Sequence, residues 1–140
     1  MIDNYTSAAA RHYVDASLLL GSKRLDNAGY LAGYTVECSL KAIIIHGSGR
    51  DPKTYGHELS TLGGPALDLA LLLSPSWRRY RPKSIIDIIA VFGDWNPEWR
   101  YSTTGELSQK KANDLVATAE KAFKEILIPL VLDGWEEVPQ

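Results

Sequence analysis

Two short segments hold most of the residues with recognisable binding chemistry. Residues 77–83 read WRRYRPK, and residues 95–101 read WNPEWRY. Cations bind phosphates, and aromatic rings stack on unpaired bases at roughly 1–3 kcal/mol each, so this composition suits RNA or a nucleotide. The alternative is a pair of loops whose tryptophans close one end of a helical bundle while the arginines stay in solvent. The candidate ligand-binding residues are Arg78, Arg79, Arg81, Trp99, Arg100 and Tyr101.

A second candidate surface lies on the segment 24–46. At 100° per residue, Tyr30, Tyr34, Glu37 and Lys41 fall within a stripe of about 60°, opposite the apolar face of the predicted helix. One interpretation is a central helix with a Glu37–Lys41 pair at i,i+4, which contributes a few tenths of a kcal/mol. The other is a dimer face or one wall of a polar cleft, in which Tyr34, Glu37 and Lys41 are candidate ligand-binding residues.

Metal chemistry and nucleophilic catalysis have little support in the sequence. His12, His46 and His57 are far apart and none lies four residues from another, so we expect no metal site. His12 fits a hydrogen-bonded, half-buried imidazole. The single cysteine, Cys38, excludes a disulfide framework and fits a small buried thiol. No glycine-rich phosphate loop is present, and no cofactor is expected.

Length and charge place these residues in one small domain. The 140 residues predict a single domain at 1–132 and a surface tail at 133–140. A hydrophobic content of 45% excludes disorder, and a net charge of −2 excludes a globally basic protein but not a local basic patch. No apolar run approaches 18 residues, so we expect a cytoplasmic protein without a membrane span.

The elements that must position the candidate residues are helices. Long apolar stripes at three-to-four spacing, with small residues for close approach, predict an all-α bundle centred on the second and last helices. Gly63-Gly64 is expected to divide a shorter helical stretch into two pieces, and the β-branched run at 85–92 fits a helix or a strand. The predicted helices are 6–20, 24–46, 57–62, 65–73 and 106–128, with 93–105 irregular.

The block NAGYLAGYTVECSLKAIIIHG at 27–47 resembles the HEPN domains, small helical bundles of prokaryotes and higher eukaryotes. Weaker matches accompany it at Asp15-Ala16 near the end of the first helix, at Gly56-His57-Glu58-Leu59 after the second, and at Trp99-Arg100-Tyr101. The likeness runs over about residues 7–128.

This resemblance implies a four- to five-helix up-and-down bundle that is usually a homodimer. Many HEPN domains are metal-independent ribonucleases of toxin–antitoxin and defence systems, and others pair with small nucleotidyltransferases. Catalytic members carry an Arg, four to six residues and then a His at the start of a late helix, and two such motifs meet across the dimer.

The catalytic histidine of that motif is missing here. After Arg100, the expected positions hold Gly105, Glu106 and Leu107. One literal match, Arg50 to His57, lies in the loop after the second helix. Two hypotheses therefore stay open. The first is a non-catalytic or weakly catalytic module that binds RNA, a nucleotide or a nucleotidyltransferase-type partner. The second is a divergent ribonuclease toxin with Arg100, and His57 as a candidate base, in a dimer cleft.

Overall fold

A computed structural model describes residues 4–49, 52, 56–57, 59–72 and 82–132 of the chain. These residues form helices and turns with no strand, which confirms the all-α fold. The segment that fitted either a helix or a strand is helical. The helices are α1 (Tyr5–Gly21), α2 (Leu25–Ser48), α3 (Leu59–Leu72), α4 (Pro82–Val91), α5 (Gln109–Ala122) and α6 (Ile128–Leu132), with a 3₁₀ turn at Pro97–Tyr101 and a π-helical segment at Phe123–Leu127.

The helix α2 is the centre of the bundle. It packs against α1, α3 and α5, and α4 completes the bundle between α3 and α5. Ala28, Ala32 and Val36 on its apolar face are fully buried, as the spacing predicts. Small side chains here allow neighbouring helices to approach closely, which is why α2 has buried residues on nearly every side.

The start of α1 is capped by Asn4. The helix begins at Tyr5, one residue before the predicted range 6–20. Asn4 has extended backbone, and its side-chain oxygen accepts a hydrogen bond from the Ser7 amide at 2.9 Å. An Asn in this position satisfies one of the unpaired amides of the first turn.

The prediction of two short helical pieces around Gly63-Gly64 is wrong, because α3 runs unbroken from Leu59 to Leu72 with Pro65 inside it. Gly63 marks a close contact: a side chain there would collide with Ile89 of α4. Burial of Leu62 and Ala66 on the same side of α3 stabilises the continuous helix. Packing against α4 therefore outweighs the low helix propensity of the glycine pair.

The last helical stretch begins at Gln109, where the Ser108 hydroxyl accepts from the Lys111 amide, and not near residue 106 as predicted. It continues through the π segment to Leu132, so Pro129 does not end it. Within this stretch the Phe123 ring stacks on Tyr13 of α1, with centroids 4.8 Å apart. No helix in the described part of the chain is long and apolar enough to cross a membrane.

Candidate functional site

An aromatic contact fixes the segment before α5 against the first half of α2. The Trp95 indole lies directly over Gly33, where any side chain would collide with the ring. Its Nε1 donates to the Tyr30 carbonyl at 3.2 Å, and its ring meets the Tyr34 ring edge-on at 5.0 Å. Trp95 is 3% exposed, so this anchor is part of the core. The 3₁₀ turn that follows is thereby held beside the start of α2.

Arg100 lies at the outer end of this aromatic group. Its guanidinium stands over the Tyr101 ring, 4.8 Å from the centroid, and hydrogen bonds with the Tyr101 and Tyr30 side chains raise its pKa. Phenol oxygens that accept hydrogen bonds from the guanidinium stabilise its charged form, which is why the pKa of Arg100 rises. Arg100 is therefore positively charged at every accessible pH. Tyr101 itself is 72% exposed.

A cleft of about 380 Å³ opens between the start of α2 and the segment 99–107. We call it the basic cleft, because three cations line it: Lys23, Arg24 and Arg100. The half-buried Trp99 indole and the Asn27 side chain add a stacking surface and an amide. Such a combination is able to hold a phosphate and a base together.

Asp26 lines the same cleft, and its carboxylate is occupied by backbone donors. It accepts hydrogen bonds from the Gly105 amide at 2.7 Å and from the Leu107 amide at 3.1 Å. Gly105 has a φ of +92°, a conformation that glycine adopts at little cost. Asp26 therefore shapes the loop after Arg100, while its negative charge offsets part of the positive charge around it.

A second cleft, of about 270 Å³, adjoins the first and shares Trp99 and Asp26 with it. We call it the acidic cleft, because Asp26, Asp94 and Glu106 line it with only Lys111 as a cation. The Lys111 ammonium is 3.9 Å from Asp94, a loose contact. Trp99 therefore lines two adjoining clefts of opposite charge.

Farther along α2, two residues of the predicted stripe are buried. Glu37 and Lys41 have side chains only 4% and 6% exposed, and they pair at 3.2 Å. The second Glu37 oxygen lies 2.8 Å from Nδ1 of His57, whose side chain is 57% exposed. The Lys41 ammonium also stands over the Tyr5 ring. The result is a buried ion pair with an imidazole attached at the surface, which we call the Glu37 cluster.

Tyr34 lies between the Glu37 cluster and Arg100. Burial first, and then a hydrogen bond with the Tyr30 phenol, raise its pKa, so its phenol stays protonated. Glu37 raises that pKa further, while Arg100 lowers it. The His12 ring packs on Tyr34 at 5.6 Å, and burial lowers the pKa of His12. Tyr30 and Glu37 are seven residues apart, or about 10 Å along α2. The side chains of Tyr30, Tyr34 and Glu37 therefore form one polar row, which runs from Arg100 to the Glu37 cluster.

The structure brings most of the candidate residues onto this row. Trp99 and Arg100 line the cleft at the start of α2, and Tyr101 lies against Arg100. His57 joins Glu37 and Lys41 about three turns farther along the helix. Sequence reasoning missed the cations Lys23 and Arg24, although they directly precede the strongest helical pattern in the chain. The candidates Arg78, Arg79 and Arg81 lie outside the described residues.

Within the described ranges, no group of three or more His, Cys, Asp and Glu side chains is arranged to hold a metal ion. Cys38 is a buried free thiol in α2. The described residues offer cation-and-ring binding in the basic cleft, and an exposed imidazole held by a buried carboxylate at His57.

Comparison with known proteins adds one finding. The model of the HEPN domain family matches residues 3–128 of the 140-residue chain. No curated protein and no solved structure matches the chain.

Proposed function

The chain belongs to the HEPN domain family, and we propose that it is a non-catalytic or weakly catalytic HEPN module that binds RNA or a nucleotide in the basic cleft. The observation that carries this proposal is the convergence of Lys23, Arg24 and Arg100 around the Trp99 indole. These side chains come from two parts of the chain that the Trp95 anchor holds together.

The charges suit a small, polyanionic ligand. A net charge of −2 gives the whole protein no attraction for nucleic acid, so affinity depends on this local cluster. Arg100 supports the proposal most directly, since it is exposed, permanently charged and held over an aromatic ring. Phosphate binding by three cations weakens as salt rises, because condensed counterions are released on binding.

The expectation of little or no catalysis follows from the segment after Arg100. Gly105 and Glu106 are exposed and Leu107 is half-buried, where catalytic family members carry a histidine. Neither glycine nor leucine exchanges protons. Asp26 and Glu106 line the clefts beside this segment, and the described lining residues include no imidazole that could act with them as acid or base.

We further propose that the module works as a homodimer in the cytoplasm, with a nucleotidyltransferase-type protein as its partner in a toxin–antitoxin or defence setting. The resemblance of the second-helix block supports this setting. Light scattering of the purified chain, followed by pull-down with a nucleotidyltransferase encoded next to it, tests it. A monomer at micromolar concentration would contradict the dimer.

Fluorescence anisotropy with a labelled single-stranded RNA tests the binding. We expect wild type to bind at low salt, and Arg100→Ala and Lys23→Ala each to weaken binding severalfold. Lys110→Ala is the matched control, because Lys110 is an exposed α5 lysine paired with Asp114, outside the basic cleft. Unchanged binding in both cleft variants would refute the proposal.

One observation favours a second candidate, a divergent ribonuclease. The buried Glu37 carboxylate holds Nδ1 of the exposed His57, an arrangement that orients an imidazole as a general base. In that case His57 would take the proton of a ribose 2′-hydroxyl, and Arg100 would stabilise charge on the phosphorane. Cleavage of a fluorescent RNA by wild type, lost in both His57→Ala and Arg100→Ala and unaffected by a chelator, would establish this candidate over the first.

A further inference from the structure

We propose that the segment 133–140 docks back onto the helical bundle, with the Trp135 side chain as its anchor. The docking site is an apolar groove of about 400 Å³ between the start of α1 and the end of the last helical stretch, which we call the apolar groove. It shares no described residue with the basic cleft, so this inference goes beyond the proposed function.

The apolar groove exposes several large side chains next to one another. Phe123 and Leu127 line it from the π-helical segment, a distortion that often lies at functional sites. Ile128, Val131 and Leu132 line it as well, and they are 37%, 40% and 73% exposed. Exposed apolar side chains that adjoin one another mark an interaction surface, whereas scattered ones do not.

The chain itself supplies an occupant for this groove. Leu132 is followed directly by Asp133-Gly134, a dipeptide typical of turns, and then by Trp135, which is the only aromatic residue after Phe123. Residues 133–140 lie outside the described residues. Three residues of chain span up to about 10 Å, and Ile128 lies one helical turn, or about 6 Å, back from Leu132. A turn at Asp133-Gly134 therefore brings the Trp135 indole within reach of the groove.

The groove offers polar groups that suit an indole. A buried indole N–H requires a hydrogen-bond acceptor, and hydroxyl oxygens accept such bonds. Thr6 and Ser7 line the groove from the first turn of α1, beside Ala10 one turn farther along. Trp135 therefore finds apolar contacts for its ring and an acceptor for its Nε1 in the same place.

Charge at the edge of the groove also favours this segment. Glu136 and Glu137 directly follow Trp135. Arg11 is exposed and lies four residues after Ser7, on the same face of α1. An acidic segment anchored in the groove thus lies near a cation of α1. Because the segment is tethered at Leu132, its effective concentration at the groove is on the order of millimolar, so a few weak contacts are enough to hold it.

The indole N–H signals of the four tryptophans in an NMR spectrum of nitrogen-15-labelled protein test this inference. Trp135→Phe identifies the Trp135 signal by its loss. In wild type we expect this signal to differ from that of a solvent-exposed indole and to show nuclear Overhauser effects to the methyl groups of Ile128 and Val131. Ile128→Glu places a carboxylate in the groove and should move the Trp135 signal to the solvent-exposed position. An unchanged Trp95 signal would show that the core is intact.

Ile86→Glu is the matched control, because Ile86 is an exposed isoleucine of α4 that does not line the groove. It should leave the Trp135 signal where wild type has it. If Ile128→Glu does not fold, Val131→Glu tests the same contact at a more exposed position.

A Trp135 signal at the solvent-exposed position in wild type would overturn the inference, as would a signal that responds equally to Ile128→Glu and Ile86→Glu. A Trp135 signal that shifts with protein concentration would also overturn it, in favour of a segment supplied by a second copy. Failure of wild type to bind RNA or a nucleotide would refute the proposed function and leave the docking of Trp135 unaffected.

Discussion

Glu37 and His57 are twenty positions apart in the chain, and the carboxylate of one lies 2.8 Å from the imidazole of the other. The carboxylate is almost fully buried, whereas most of the imidazole is exposed. Lys41 binds the remaining carboxylate oxygen from inside the bundle. The three residues therefore link a charge pair in the core of the protein to a side chain at its surface.

Removal of one partner from the buried pair should destabilise the fold strongly. Glu37→Ala leaves the Lys41 ammonium buried without its carboxylate, and we expect the free energy of unfolding to fall by about 3–5 kcal/mol. The double variant Glu37→Leu/Lys41→Leu removes both charges and should be more stable than Glu37→Ala. Urea unfolding followed by circular dichroism measures these changes.

The matched control is the exposed pair of Lys110 and Asp114, which has the same i,i+4 spacing on α5. Asp114→Ala should change stability by less than about 0.5 kcal/mol. If Glu37→Ala and Asp114→Ala lowered the free energy of unfolding by similar amounts, burial would not account for the effect at the Glu37–Lys41 pair.

Gly33 should not tolerate a side chain. In Gly33→Ala the new methyl group meets the Trp95 indole, a buried ring anchored through its Nε1, so the ring and its segment must move. We expect a loss of about 1–3 kcal/mol in unfolding free energy, and weaker RNA binding because Trp99 and Arg100 follow the same segment. Chemical denaturation and anisotropy measure the two effects.

Gly64→Ala provides the control for this substitution. Gly64 lies inside α3 with open space around it, so alanine there should raise stability by roughly 0.5–1 kcal/mol through its better helix propensity. If Gly33→Ala stabilised the protein as much as Gly64→Ala, that result would contradict the close contact between Gly33 and the Trp95 indole.

The helices were predictable from the sequence because their apolar periodicity is long. The predicted range 24–46 differs from the observed α2 by only one or two residues at each end. The prediction of a break at Gly63-Gly64 is wrong, because local helix propensity does not reveal that Ile89 occupies the space beside Gly63. That contact joins residues 26 positions apart, which no local pattern encodes.

The site was less predictable than the fold for a related reason. A helical wheel places Glu37 and Lys41 on the face opposite the core, but Tyr5 covers Lys41 and His57 covers Glu37. Those covering groups come from distant parts of the chain. The resemblance of the second-helix block brought Arg100 to attention, whereas Lys23 and Arg24 became candidates only when the fold placed them beside it.

His12 should make the protein less stable as the pH falls. Burial, assisted by the neighbouring Arg11, lowers the pKa of His12 below its usual 6.5. Between the lowered folded pKa and 6.5 the unfolded chain binds more protons, so stability decreases as pH falls through this window. We expect NMR titration of the three histidines to give His12 a pKa below 6.5. His12→Gln should show a shallower fall in unfolding free energy between pH 7 and pH 5. A His12 pKa at or above 6.5 would contradict this prediction.

The salt dependence of RNA binding should identify the cations of the basic cleft one by one. Each cation that neutralises a phosphate of a single strand contributes about 0.7 to the slope of log K against log salt concentration. Arg100→Ala and Lys23→Ala should therefore each weaken binding and reduce the magnitude of the slope by roughly 0.7–1. Lys124→Ala changes the net charge by the same amount, but Lys124 pairs with Glu120 on the last helical stretch and lies outside the cleft, so its slope should match wild type. Anisotropy titrations of one short RNA at several salt concentrations give all four slopes. Parallel lines for wild type and Arg100→Ala would show that the Arg100 guanidinium does not contact a phosphate, and phosphate binding in the basic cleft would then depend on Lys23 and Arg24.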